Sequence, residues 1–111
     1  MCIRDRIIDY FSSQGFDIVA NTYLDIAADY DIGKVDQNFL FKTLSQIEIK
    51  NADALFISCT ALPVLNIIER LEKELGKPVI TSNQSLIWDT LESIDMNKNI
   101  LGFGKLFNLD Q

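Results

Sequence analysis

Ala54-Leu55-Phe56-Ile57-Ser58-Cys59-Thr60 is an apolar run of strand length that stops on three small polar residues. Such a run suits a strand buried on both faces, as in a parallel sheet. Pro63 follows where the first turn of a helix tolerates a residue without an N–H. Val64, Ile68, Leu71 and Leu75 then recur at helical spacing. Gly76 stands where a helix commonly ends in the left-handed conformation. Pro78-Val79-Ile80-Thr81 reads as the next strand. Strand, helix and strand in this order form a βαβ unit, whose crossover is expected to be right-handed.

Working outward, Ile3, Ile7, Tyr10 and Phe11 fall on one helical face, and Gly15 closes that helix. Residues 16–20 read as a short strand, and a polar, acidic loop runs from about Asn21 to Lys34. Asp36 is a plausible cap for a helix whose apolar face is Phe39, Leu40, Leu44 and Ile47. Beyond Thr81, Ser82 or Asn83 caps a last helix carrying Leu86, Ile87, Leu91 and Ile94. Ile100 to Leu109 forms an apolar tail, either irregular or a short strand. The expected class is α/β: a small parallel-sheet, Rossmann or flavodoxin-like three-layer domain. Such domains normally open on a strand and this chain opens on a helix, so its first strand is expected to be lacking.

The chain has 111 residues, enough for one domain and a real core. An apolar fraction of 48% excludes intrinsic disorder. No apolar run approaches the ~18 residues of a membrane span. Arg4, Asp5, Arg6 and Asp9 stand where a secretory signal would be apolar. The absence of histidine excludes a histidine base, triad or metal ligand within the chain. A net charge of −6 without a basic patch argues against nucleic acid. Two cysteines, Cys2 at the terminus and Cys59, fit a reducing cytoplasm better than a disulfide framework.

In open α/β sheets ligands bind beyond the carboxyl ends of the strands. That rule selects 21–31, Ser58-Cys59-Thr60 and Ser82-Asn83. A thiol at position 59 would face the partial positive charge of the following helix start, which favours the thiolate. The N–H groups of Thr60, Ala61 and Leu62 could hold a carboxylate or an oxyanion. The competing reading of Cys59 is a small buried core residue. Asn83 is either a carboxylate ligand or an ordinary helix cap. Asp25, Asp29 and Asp31 have no recognisable metal-ligand spacing and read as a solvated loop. No glycine-rich phosphate loop is present.

The block Ala52-Asp53-Ala54-Leu55-Phe56-Ile57-Ser58-Cys59-Thr60-Ala61-Leu62 resembles the second cysteine motif of the aspartate/glutamate racemase superfamily. The stretch from Leu75-Gly76-Lys77-Pro78 through Ser82-Asn83-Gln84 to Trp88 resembles the segment that follows it. The likeness is to the maleate cis-trans isomerase, arylmalonate decarboxylase and ectoine-utilisation branch, over roughly residues 7–107. It implies a two-domain enzyme with its site between similar α/β domains, each giving a strand-end cysteine. It implies catalysis without metal, pyridoxal phosphate or nucleotide. Carried over by motif, Cys59 is the catalytic cysteine of the second domain, and Thr60 and Asn83 bind a substrate carboxylate. The expected function is half of a cofactor-independent isomerase or racemase for a small mono- or dicarboxylic acid such as maleate. The alternatives are an arylmalonate-type decarboxylase and a non-catalytic flavodoxin-like binding module.

The same resemblance marks what the chain departs from. The expected partner is an N-terminal domain of the same polypeptide, without which the chain should be inactive. Neither nucleic acid nor membrane is expected as a partner, and homo-oligomerisation is left open. Met1-Cys2-Ile3-Arg4-Asp5-Arg6 resembles a translated sequencing-adapter remnant. Residues 1–6 are therefore expected to be non-native, with the C-terminal α/β domain spanning 7–111 and Cys2 no part of the site.

Overall fold

The structure, a computed structural model, describes residues 3–21, 34–47, 49–58, 62–97 and 99–108, without the side chains of residues 3–5. Helix α1 (Ile3–Ser13) is followed by α2 (Gln37–Ser45), β1 (Leu55–Ile57), α3 (Ile68–Leu75), β2 (Val79–Thr81) and α4 (Ser82–Ser93). Short 3-10 turns precede α3 (Leu65–Ile67) and close the described chain (Lys105–Asn108). Among the described residues the sheet has two strands, paired in parallel with Leu55 opposite Val79 and Ile57 opposite Thr81. The architecture is α/β with a small parallel sheet, as the βαβ pattern requires.

The core lies where that unit closes on α2. Leu40 and Leu44 of α2 pack with Ile57, Leu62, Val64, Ile67, Ile68, Leu71 and Val79. Val64, Ile68 and Leu71 are fully buried and Leu75 packs against them, the stripe read from sequence, although Val64 precedes the helical turns. Asp36 caps α2, its carboxylate accepting from Phe39 N at 3.1 Å. The Arg70 guanidinium lies 3.9 Å from the centre of the Phe41 ring and joins α3 to α2 at the surface. Gly76 ends α3 at φ +69, as expected for a left-handed cap.

Four local expectations are corrected. Residues 16–20 carry no ladder, and Phe16 and Val19 are exposed. A strand needs a partner edge for its N–H and C=O groups, and this segment pairs with neither described strand. The Phe11 ring, 5.0 Å from Phe56 and 5.5 Å from Phe16, links α1 and this segment to β1. Second, β1 is not covered on both faces: Phe56 is 41% exposed while Ile57 is buried. Third, the chain is not helical at Pro63. The 3-10 turn starts at Leu65 after a Val64 without a side-chain cap.

The fourth correction concerns α4. Thr81, not Ser82 or Asn83, is its cap, within a reciprocal box in which Thr81 Oγ1 accepts from Gln84 N and Gln84 Oε1 accepts from Thr81 N. The box points Gln84 into the core, where it is 0% exposed. At about 100° per residue, Leu86 then lands on the opposite face. Leu86 is accordingly exposed rather than core, and Ile87 and Ile94 are exposed as well. The first turn sets the phase of the helix, and the apolar pattern does not.

The tail is irregular, as one of the two sequence readings has it, and it is anchored. Leu55 N donates to Pro78 O at 3.0 Å. In a parallel ladder that turns the N–H groups of Val79 and Thr81 to the far edge of β2. Val79 N donates to Glu72 Oε2 at 3.0 Å and Thr81 N to Gln84 Oε1 at 3.0 Å. The other ends of the same two side chains hold the tail. Lys105 N donates to both Glu72 oxygens, at 3.0 and 3.1 Å, and Gln84 Nε2 donates to Phe103 O at 2.6 Å. Buried Phe107 completes the packing.

Candidate active site

A cleft of about 280 Å³ is lined by residues of the segments that follow the carboxyl ends of β1 and β2 and by the start of α2. Its walls are Gln37, Leu62, Pro63, Val64, Leu65, Asn66 and Asn83. Each comes from a different local cause. Gln37 is placed by the Asp36 cap at the first residue of α2. Leu62 and Val64 are buried core residues whose backbone turns at the cleft, Val64 N donating to Leu62 O at 2.9 Å. Asn83 is held in the first turn of α4, one residue before the buried Gln84.

Cys59 and Thr60 lie outside the described residues, as do Cys2 and Asp25, Asp29 and Asp31. The described residues flanking 59–61 are Ser58, exposed at the end of β1, and Leu62, in the cleft wall. Asn83 is half-buried and lines the cleft. With capping done by Thr81, the ordinary-cap reading of Asn83 is excluded. Gln37 and Asn66 were not read from sequence as cleft residues. Gln37 follows an evident helix cap, but nothing in its neighbourhood says that α2 starts beside strands formed more than 15 residues later.

Carboxamides at Gln37, Asn66 and Asn83 bring N–H donors and carbonyl acceptors to the walls without a formal charge. Such a lining can orient a carboxylate by hydrogen bonds. Among the described residues no group of three His, Cys, Asp or Glu is placed to hold a metal ion. No described helix is long and apolar enough to cross a membrane.

A small parallel α/β domain with a cleft at its strand ends defines the class. Comparison with known proteins places it further. The arylmalonate decarboxylase family model matches residues 2–107, so the chain belongs to that family, within the aspartate/glutamate racemase superfamily. It is 24% identical over 107 residues to a maleate isomerase of Geobacillus stearothermophilus, covering 96% of this chain and 43% of that protein. It is 26% identical over 109 residues to a maleate isomerase of Nocardia farcinica, covering 97% and 43%. The chain thus spans less than half the length of the relatives it matches.

Solved structures agree. A cysteine-to-serine variant of Nocardia farcinica maleate cis-trans isomerase, with a covalently bound succinylcysteine intermediate, superposes with a TM-score of 0.89 at 26% identity. The match covers 97% of this chain and 44% of that one. Maleate isomerase from Pseudomonas putida gives a TM-score of 0.88 at 26% identity, over 94% and 42%. A variant of arylmalonate decarboxylase shares the fold, with a TM-score of 0.84 at 23% identity.

Proposed function

We propose that the chain is the C-terminal half of a cofactor-independent cis-trans isomerase acting on a small dicarboxylic acid such as maleate, with Cys59 as its thiol. The observation that carries this reading is the cleft at the ends of β1 and β2, walled by Leu62 and Asn83, on the segment that holds Cys59. The succinylcysteine intermediate in the matched Nocardia farcinica enzyme supports a thiol chemistry of this kind.

The steps balance without a cofactor. The Cys59 thiolate adds to one olefinic carbon of maleate, forming a C–S bond. The π pair passes to the neighbouring carbon, which can take a proton. The former double bond, now single, rotates. Loss of any proton taken up regenerates the carbanion, whose electron pair re-forms the double bond as the trans isomer while the thiolate leaves. Carboxylate hydrogen bonds from Thr60 N–H and the Asn83 amide hold one end of the substrate while the other turns. A second domain of the same polypeptide supplies the second thiol and the other wall, which relatives more than twice this length would accommodate. The proposed location is the cytoplasm.

The test is kinetic and chemical. A polypeptide carrying both domains is expected to convert maleate to fumarate, and Cys59→Ser to abolish it. The 111-residue chain alone is expected to be inactive, with a thiol that alkylates at neutral pH faster than a free thiol. Turnover by the isolated chain would overturn the need for a second domain. A Cys59 that reacts only after denaturation would favour a binding module. Release of carbon dioxide from an arylmalonate, with no maleate turnover, would favour the decarboxylase that the family model describes.

A further inference from the structure

The tail meets β2 through side chains rather than through a ladder, and both side chains are buried. Gln84 is the one that adjoins a cleft residue: Asn83, which lines the cleft, precedes it in the same helical turn. Its amide has no freedom of orientation. Thr81 N–H requires an oxygen, 3.0 Å away, and Phe103 C=O requires an N–H, 2.6 Å away. Turning the amide over would break both bonds at once. Phe103 O therefore fixes Gln84 Oε1 on Thr81 N–H and keeps the capping box of α4 closed.

The tail is held equally firmly at its own end. Lys105 N is bonded to both oxygens of Glu72, and Asn108 Nδ2 donates to Gly104 O at 3.1 Å. Between these contacts Gly104 takes φ +101. A Cβ there would meet Ile68 Cγ2 at 2.6 Å and Gln84 Nε2 at 2.8 Å. Only glycine lets the backbone come this close.

We infer that residues 103–105 form a positioning element for Asn83, acting through Gln84 on the start of α4. This rests on reading Asn83 as a carboxylate ligand. Gln84 and Gly104 touch no substrate; they set where the Asn83 amide stands at the cleft.

Two substitutions cut the link from opposite sides. Gln84→Glu keeps an oxygen for Thr81 N–H but sets another against Phe103 O. Gly104→Ala displaces the tail and leaves every α4 residue unchanged. In the polypeptide carrying both domains, each is expected to raise KM for maleate about tenfold with kcat within about twofold. The double variant is expected to be little worse than either single one, as for residues acting through one connection. Leu44→Ala, a cavity in the α2 side of the core, controls for lost stability and is expected to lower Tm without raising KM. KM unchanged in both variants, or raised as much by Leu44→Ala, overturns the inference.

A second readout does not depend on turnover. In the 111-residue chain the Asn83 side-chain amide resonances are expected to shift in Gln84→Glu and Gly104→Ala and to stay in place in Leu44→Ala. Unshifted resonances in both tail variants overturn the positioning role. If the wild-type polypeptide isomerises no small dicarboxylate, the functional reading fails, while the Asn83 resonances still decide the positioning.

Discussion

Glu72 shows how much one buried carboxylate organises. Its oxygens accept from Val79 N on the edge of β2 and from Lys105 N in the tail. Charged groups are seldom buried without such bonds. Glu72→Ala leaves two backbone donors without an acceptor and is expected to destabilise by about 3 kcal/mol. Glu72→Gln keeps one acceptor and should lose less. Urea denaturation of both variants checks the order. Nothing local to Glu72 in the sequence says that a tail 33 residues later returns to it.

At the scale of elements, α3 and α4 make opposite cases. The stripe of α3 is legible because Ile68 and Leu71 meet the β-sheet and α2 directly. Leu71→Ala is expected to cost about 2–5 kcal/mol. The stripe of α4 misleads, because the Thr81–Gln84 box rotates Leu86 outward to 63% exposure. Leu86→Lys is therefore expected to change stability by no more than about 0.5 kcal/mol, where a core position would unfold the domain. Thr81→Val removes the cap oxygen at nearly constant shape and should cost about 1 kcal/mol. Thermal melts of the three variants test the phase of each helix.

For the whole molecule, the uncovered apolar groups are informative. Tyr10, Phe16 and Val19 are exposed on and just after α1, Phe56 on β1, and Leu86, Ile94 and Leu101 on and beyond α4. A parallel sheet is normally covered on both faces, and the relatives matched here are more than twice as long. The isolated chain is expected to bind a hydrophobic dye such as ANS, and the longer polypeptide to bind less per molecule. Equal dye binding by both would place those residues on a true outer surface.

The sequence by itself determined the βαβ unit, its core stripe, the Asp36 and Gly76 caps, and the end of β1 just before Ser58. These follow from short-range periodicity and from the backbone needs of single residues. Only the tertiary structure decided that residues 16–20 stay out of the ladder, that α4 turns Gln84 inward, and that Gln37 and Asn66 join Asn83 at the cleft. Those depend on which edge finds a partner and on hydrogen bonds between segments distant in the chain. Local pattern carries no information about either.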